Sequence, residues 1–396
     1  MPALDGLRIL DMTQYEAGTS CTQALAWMGA DVVKVEPPGY GDPGRRTRQG
    51  QGNSPYFLNW NSNKRSIVLD LAQARGRRIL LDMAPHYDVF VENYGPGVVE
   101  KLDIGYDVMK AANPRIIYAR LKGFGTSGPY ADYKCYDMVA QAAAGAFSVT
   151  GDPDGPPMLP GPTTGDAGTG VQLALALLAA YVQQQRTGEG QLIEISMQEA
   201  MTYFMRTRIS GGADWGNAVA PRAANGSGAL VNLYACKPFG HNDHAYIICT
   251  TSRMWDSLCL AMDRADLAVD PRFETDELRV ENSDALYAEI ASWAQQHTKW
   301  DVMKILGEGG VPCSAVFDTV DLFASEHLNG RGFIHTIDHP EHGEIKLLGW
   351  APRMSKSHVP LERAPLMGEH SDEILAADLE LGPPQLAELR EAGIVG

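Results

Sequence analysis

The chain has 396 residues, 44% of them hydrophobic, which is enough to bury a large core and long enough for two or more domains. Its 33 basic and 49 acidic residues give a formal net charge of −16, which argues against nucleic acid or an anionic membrane as the main partner. The first residues lack a basic stretch followed by an apolar one, and the longest apolar run, 171–182, is shorter than the ~20 residues of a membrane-spanning helix.

Short β-branched segments alternate with helical segments through the first third of the chain. This pattern predicts strands at 7–11, 31–36, 65–69, 89–91 and 115–119, with helices at 21–28 and 76–83. Successive βαβ units predict an α/β fold with a Rossmann-like, mainly parallel sheet covered by helices. Ligands of such sheets collect at the carboxyl ends of the strands.

The regular pattern loosens after Met205 and resumes with a strand-like segment at 245–250, followed by helical segments to about residue 305. We therefore predict a large α/β domain over 1–205, a linker and glycine-rich loop over 206–228, and a smaller α+β domain over 229–328. Residues 329–396 are expected to return to the large domain, with little regular periodicity over 351–381.

Six cysteines are dispersed along the chain without CxxC or metal-ligand spacing. This usage is typical of reduced thiols in a cytoplasmic protein. We predict neither disulfides nor a metal site.

Residues 161–170 (GPTTGDAGTG) place one carboxylate, Asp166, where an apolar helix begins. Aspartate there is either an ordinary N-cap or a functional group. Gly168 and Gly170 lie in the presumed first turn, where each costs about 0.5–1 kcal/mol relative to alanine, so close approach of a substrate is one explanation. Free N–H groups at the helix start are expected to keep the carboxylate ionised and to face a developing oxyanion.

Residues 123–128 spell GxGxxG after a predicted strand, but Pro129 follows instead of an amphipathic helix. The surrounding sequence therefore argues against a dinucleotide-binding loop. A Ser-His-Asp hydrolase is equally unsupported, because the chain contains no GxSxG.

Several segments together, in order, resemble the family III CoA-transferases of the CaiB/BaiF type, a group that includes formyl-CoA:oxalate CoA-transferase. The resemblance spans nearly the whole chain and depends on 2–11 (PALDGLRILD), 29–36 (GADVVKVE), 63–67 (NKRSI), 91–97 (VENYGPG), 125–128 (GTSG), 186–191 (RTGEGQ) and 364–370 (APLMGEH). It implies that Asp166 is a covalent nucleophile and that the large domain binds coenzyme A.

The resemblance implies CoA transfer from an acyl-CoA donor, such as succinyl-CoA, to an organic acid, through an aspartyl mixed anhydride and an aspartyl-CoA thioester. Coenzyme A and its thioesters are then substrates, and no tightly bound cofactor is expected. The resemblance also implies an interlocked homodimer, with a heteromer as the alternative.

The resemblance assigns further residues to the site. Those expected to contact coenzyme A are Asn93, Tyr94, Lys101, Arg65 and Lys134, with the cluster Arg45, Arg46 and Arg48 as weaker candidates. Those expected near the acyl group or acid are Glu16, Tyr136, Gly226 and Gly228. The loop 226–228 either closes over the site or is a flexible linker.

Two alternatives remain open. A racemase of the same fold would move an α-proton with a histidine, but this chain has Tyr136 at that position. A non-catalytic CoA-ester binding subunit is the other alternative. Glu16 stands where oxalate-using members carry glutamine, and a second carboxylate near Asp166 would repel an acidic substrate, although Glu16 is equally explained as a surface or helix-start residue.

Overall fold

The computed structural model describes residues 1–47 and 53–396. Its internal contacts divide the chain into two compact units. The first unit contains Met1–Ser148, Leu159–Ala220 and Gly332–Gly396, and the second contains Val149–Met158 and Pro221–Arg331.

A parallel sheet of six strands forms the centre of the first unit. Its strands are β1 (Arg8–Met12), β2 (Asp31–Glu36), β3 (Arg65–Val68), β4 (Val89–Glu92), β5 (Ile117–Lys122) and β6 (Leu192–Ser196). Their order in the sheet is β3-β2-β1-β4-β5-β6. The predicted α/β fold class is confirmed. The sequence did not predict β6, an edge strand whose alternating exposure gives it no continuous apolar run.

Helices connect and cover these strands. They are α1 (Ala17–Ala26), α2 (Pro55–Trp60), α3 (Ala74–Met83), α4 (Val98–Lys101), α5 (Tyr106–Ala112), α6 (Asp137–Ala143), α7 (Ala167–Thr187), α8 (Met197–Phe204) and α9 (Arg206–Gly212). The predicted helices at 21–28 and 76–83 correspond to α1 and α3.

Apolar side chains fill both faces of the sheet, as expected of a parallel sheet with helices on both sides. Val33 and Phe90 belong to one core cluster, whereas Val32 and Val91 belong to the other. Every residue of α1 is buried.

The second unit consists of a small antiparallel sheet and several helices. Its elements are β7 (Val231–Ala235), β8 (His244–Ile248), α10 (Ser252–Ala261), α11 (Ala265–Ala268), α12 (Asp276–Glu281), α13 (Ser283–Ala294), α14 (Lys299–Glu308), β9 (Cys313–Ala315), α15 (Thr319–Ala324) and α16 (Glu326–Gly330). The three strands pair in chain order. Trp255, Leu258 and Ile290 lie in its separate core.

The C-terminal segment adds a hairpin and two helices to the first unit. They are β10 (Ile334–His339), β11 (Gly343–Leu348), α17 (Ser371–Leu379) and α18 (Pro383–Glu391). Although the sequence over 351–381 shows little regular periodicity, α17 forms within it. Ile374 and Leu375 of α17 are fully buried in the core of the first unit. In the described part of the chain, no helix combines the length and apolar character needed to cross a membrane.

Candidate active site

A cavity of about 360 Å³ opens at the carboxyl ends of the strands. The strand order reverses between β1 and β4, so the segments that follow these two strands diverge and leave a crevice. The residues that line the cavity follow β1 or β4, end or follow β5, or lie at the start of α1, α4, α7 or α8. They are Gln14, Tyr15, Ala17, Asn93, Tyr94, Gly95, Pro96, Val98, Leu121, Lys122, Gly123, Ala131, Tyr133, Lys134, Cys135, Tyr136, Asp166 and Met197.

Side chains fix the loop between β1 and α1 at this crevice. The Asn93 amide accepts a hydrogen bond from the Gln14 N–H at 2.8 Å and donates one to the Gln14 carbonyl at 2.9 Å. Asp42 accepts from the N–H of Tyr15 at 3.1 Å and pairs with the buried Lys34 at 2.7 Å. Tyr15 has a φ of 59° in the left-handed region, a conformation that these contacts hold in place.

Asp166 immediately precedes the first residue of the 21-residue helix α7 and is 9% exposed. Its side chain makes no capping hydrogen bond to the helix. Its own N–H donates to the carboxylate of Asp137 at 2.9 Å. The N-cap explanation is therefore not supported, and the carboxylate is available to the cavity that it lines.

The first N–H groups of α7 are already hydrogen-bonded, contrary to expectation. The N–H groups of Ala167 and Gly168 already donate to the carbonyls of Thr163 and Thr164, at 3.0 and 3.1 Å. These two groups are thus not free to bind an oxyanion.

The two glycines of the first turn of α7 serve packing. A Cβ on Gly170 would lie 2.0 Å from the Ser20 hydroxyl and 2.6 Å from the Ala17 carbonyl of α1. A Cβ on Gly168 would lie 2.8 Å from the Phe204 ring. Contact with α1 and Phe204 therefore explains these glycines without a substrate.

The expected ionisation of Asp166 is also wrong. Burial, and then the negative charges of Glu16 and Asp137, raise the pKa of Asp166 to about 8. Three carboxyl groups cluster here, so the cost of charging Asp166 exceeds the benefit of the helix start.

Glu16 lies at the cluster and is 3% exposed, which excludes the surface explanation. Its two oxygens accept separate hydrogen bonds, from the Thr163 hydroxyl at 2.5 Å and from the Tyr56 phenol at 3.4 Å. Burial raises the pKa of Glu16 to about 7, although the Thr163 hydrogen bond opposes the shift.

Sequence reasoning missed Asp137. It begins α6, is buried, and binds both the Asp166 N–H and the Gln141 amide. A Cβ on Gly165 would lie 2.7 Å from the Asp137 carbonyl, so that glycine permits the close approach. No local motif signals this contact, because the two segments are 29 residues apart.

The structure brings some of the predicted coenzyme A contacts to the cavity. Asn93, Tyr94 and Lys134 line it, and Tyr136 lies there with 62% of its surface exposed and its ring edge-to-face with Tyr15. Lys134 is exposed.

Arg65 and Lys101 do not line the cavity. Arg65 begins β3, and its guanidinium pairs with Asp31 at 2.6 Å, at the amino end of β2, and with Glu373 at 3.0 Å. Lys101 is exposed at the last residue of α4, one turn beyond the lining residue Val98.

The arginine cluster has a structural role in the part that the structure describes. Arg45 is buried, pairs with Glu36 at 2.6 Å and lies 3.7 Å from the centre of the Phe57 ring. Arg46 donates to the Gly39 carbonyl at 2.6 Å. Arg48 lies outside the described residues.

Gly226 and Gly228 belong to the second unit, in the turn that enters β7. A Cβ on Gly226 would lie 2.0 Å from the Val231 carbonyl, and Gly228 has a φ of 88°. Both positions therefore need glycine for the turn itself. Closure over the site stays a prediction.

Together the fold and the cavity define a doubly wound α/β protein with a cavity at the topological switch point, where such folds bind ligands, and a buried carboxyl group that lines it. The comparisons identify the family. The model of "CoA-transferase family III" matches residues 4–371, and the chain belongs to that family. It is a transferase.

Curated relatives match over nearly their full length. A formyl-CoA:oxalate CoA-transferase of Streptomyces coelicolor is 38% identical, with 99% of each chain covered. One of Rhodopseudomonas palustris is 37% identical, covering 99% of this chain and 97% of the relative.

Solved structures show the same fold. A CaiB/BaiF family protein from Brucella suis is 29% identical with a TM-score of 0.84, covering 95% of this chain and 99% of that one. A protein from Mycobacterium tuberculosis is 26% identical with a TM-score of 0.80, covering 94% and 99%.

Proposed function

We propose that this CoA-transferase works through covalent catalysis at Asp166. The observation that carries the proposal is a buried, uncapped carboxyl group lining the cavity at the switch point of the sheet. A carboxyl group with a raised pKa is a stronger nucleophile once ionised, which suits attack on a thioester.

The proposed reaction begins when the Asp166 carboxylate attacks the thioester carbonyl of the donor. The C–S bond breaks, and a mixed anhydride and the CoA thiolate form. The thiolate then attacks the aspartyl carbonyl, and the donor acid leaves as a carboxylate. CoA is now held on Asp166 as a thioester.

The acceptor acid repeats these steps in reverse. Its carboxylate attacks the Asp166 thioester and releases the thiolate, which attacks the acceptor carbonyl of the new anhydride. The products are the acceptor CoA ester and the free Asp166 carboxylate. No net proton is gained or lost, so the mechanism needs no separate general base.

The protein's own groups position these steps. Asp137 holds the backbone of Asp166, and the Asn93 amide holds the β1–α1 loop across the crevice. Tyr94 and the exposed Lys134 line the cavity and are proposed to contact coenzyme A, Lys134 through its charge.

The racemase alternative gains no support from the cavity. None of the described residues lining it is a histidine, and Tyr136, at the position in question, is an exposed phenol. The test is deuterium exchange at the α-carbon of an acyl-CoA without an acceptor acid. Rapid exchange would favour the racemase.

The decisive experiment is to trap Asp166 with acyl-CoA and hydroxylamine or borohydride and to locate the adduct by mass spectrometry. Asp166→Ala is expected to lose the adduct and to lower exchange by at least about 10³-fold with an unchanged circular dichroism spectrum. Asp107→Ala is the matched control, since Asp107 is an exposed first-turn aspartate of α5 that does not line the cavity.

Two outcomes would reject this mechanism. Near wild-type exchange by Asp166→Ala would exclude Asp166 as the nucleophile. Binding of acyl-CoA without any adduct or exchange would favour the non-catalytic binding subunit.

A further inference from the structure

The carboxyl cluster around Asp166, which lines the cavity, carries negative charge with little to balance it. Glu16 is buried beside Asp166, and its charge is one cause of the raised pKa of Asp166. Its hydrogen-bond partners, Thr163 and Tyr56, are neutral. Among the described residues, no lysine or arginine lies within ion-pair distance of Glu16.

Neither of the two described lysines that line the cavity forms an ion pair with Glu16. The Lys122 ammonium pairs with Glu92 at 2.8 Å and also donates to the Tyr94 carbonyl at 2.5 Å. Lys134 is exposed. Glu16 and Asp137 do not line the cavity themselves, but each is hydrogen-bonded to the 163–166 segment, so a substrate group at Asp166 is exposed to their charge.

The acceptor acid must bring a carboxylate into this environment. Once Asp166 is a thioester it has lost its charge, and the charge of the attacking carboxylate passes to the departing CoA thiolate when the anhydride forms. A second carboxylate on the acceptor would stay charged throughout the reaction in a poorly solvated site next to Glu16. Like charges a few ångströms apart in such a site disfavour binding by on the order of tenfold to a hundredfold.

We infer that Glu16 determines acceptor specificity: the enzyme uses monocarboxylic acids with an uncharged remainder and disfavours acids that carry a second carboxylate next to the reacting one. This inference rests on the proposed function, because it concerns the acid that attacks the Asp166 thioester. Such a preference distinguishes this chain from its curated relatives, whose name contains oxalate, a dicarboxylate.

The ionisation of Glu16 gives the preference a pH dependence. The groups that face Glu16 are Asp166, Asp137, the Tyr56 phenol and the Thr163 hydroxyl. Because the pKa of Glu16 is about 7, it is mostly charged at pH 8 and mostly neutral at pH 6. Discrimination against dicarboxylates should therefore weaken as the pH falls from 8 to 6.

The test compares matched acids that differ by one charge: propionate against malonate, and glycolate against oxalate. The donor is whichever of acetyl-CoA and succinyl-CoA labels Asp166 in the trapping experiment. At pH 8, the wild type is expected to have at least about tenfold higher kcat/KM for the monocarboxylate of each pair. Glu16→Gln, which keeps the shape and removes the charge, should reduce this ratio at least tenfold.

Two further variants separate charge from structural damage. Thr163→Val removes a donor that stabilises the charged form of Glu16, so it should shift the ratio in the same direction by a smaller factor. Glu189→Gln makes the same chemical change at an exposed position between α7 and β6 and should leave the ratio unchanged. If Glu16→Gln does not fold, Thr163→Val and the wild-type pH dependence still decide.

Equal use of both acids of each pair by the wild type would overturn the inference. So would a Glu16→Gln variant that slows both acids equally, or monocarboxylates that are not used although Asp166 is labelled. In each of these outcomes, Asp166 would still be labelled in the trapping experiment. Failure of the proposed function is distinguishable, because Asp166 would then carry no adduct with any donor.

Discussion

At the scale of single residues, the site depends on Asp166 and on two neighbouring carboxyl groups that oppose its ionisation. Burial and the charges of Glu16 and Asp137 oppose ionisation of Asp166, while Thr163 favours the charged form of Glu16. Asp166 is the residue that the sequence identifies most clearly, but its ionisation depends on residues elsewhere in the chain.

We expect kcat/KM for the donor acyl-CoA to rise with pH through an apparent pKa of about 8. Asp166 must be a carboxylate to attack, and its raised pKa keeps it protonated below that value in the free enzyme. A pH profile of initial rates measures this rise in kcat/KM and gives its apparent pKa. A flat profile between pH 6 and 9 would contradict the raised pKa.

Glu16→Gln should lower the apparent pKa at which kcat/KM for the donor rises. It removes one of the two negative charges that raise the pKa of Asp166, so less alkaline solution suffices to ionise the nucleophile. The shift is read from the same profile, with Glu189→Gln as the control that should not move it. An unchanged apparent pKa in Glu16→Gln would show that Glu16 and Asp166 do not interact.

At the scale of secondary-structure elements, the contact between α1 and α7 positions the site. Glu16 immediately precedes α1, and Asp166 immediately precedes α7, so the distance between these helices sets the distance between the two carboxyl groups. Gly170 permits the helices to approach, because no side chain fits between it and Ser20.

Gly170→Ala is expected to destabilise the first unit by about 1–3 kcal/mol, since its Cβ would overlap both Ser20 and the Ala17 carbonyl. Urea unfolding measures the change. Gly211→Ala is the matched control, because Gly211 lies in α9 with nothing within 4 Å of its Cβ position. It should be neutral or stabilising by up to about 1 kcal/mol. Equal effects of both substitutions would show that the helix contact is not the cause.

At the scale of the whole molecule, the first unit leaves apolar surface uncovered. Val171, Leu175 and Val182 lie along one side of α7 and are 50%, 70% and 48% exposed. Tyr203 and Phe204 of α8 are also about half exposed. Apolar surface of this extent is typical of an interface, and we propose that a second copy of the chain covers it in a homodimer.

Leu175→Glu is expected to shift the protein from dimer to monomer, because it places a charge in the middle of this apolar stripe. Light scattering coupled to size-exclusion chromatography gives the mass directly. Leu260→Glu, a substitution of a 77% exposed leucine in the second unit, is the control and should leave the mass unchanged. A monomeric wild type would refute the dimer, and an unchanged dimer in Leu175→Glu would exclude this face.

The sequence by itself was sufficient for strands β1 to β5 of the sheet and for the position of Asp166 at the start of a helix. β-branched runs such as 31–36 and the apolar helix after Asp166 are local patterns, since their periodicity reflects burial of neighbouring residues. It was insufficient for β6, whose exposed edge residues lack that signal, and for α17, whose residues 371–379 gave no recognised period. Ordered family motifs supplied the remaining expectations.

Only the tertiary structure decided which groups surround Asp166 and how they affect it. Glu16 and Asp137 lie far from Asp166 in sequence, and their effect on its pKa depends on distance and burial, which no local pattern encodes. The same reason explains why Arg65 and Arg45, basic in sequence, are engaged by Asp31 and Glu36 in the folded protein. Local periodicity specifies elements, whereas the packing of distant elements specifies the chemistry between them.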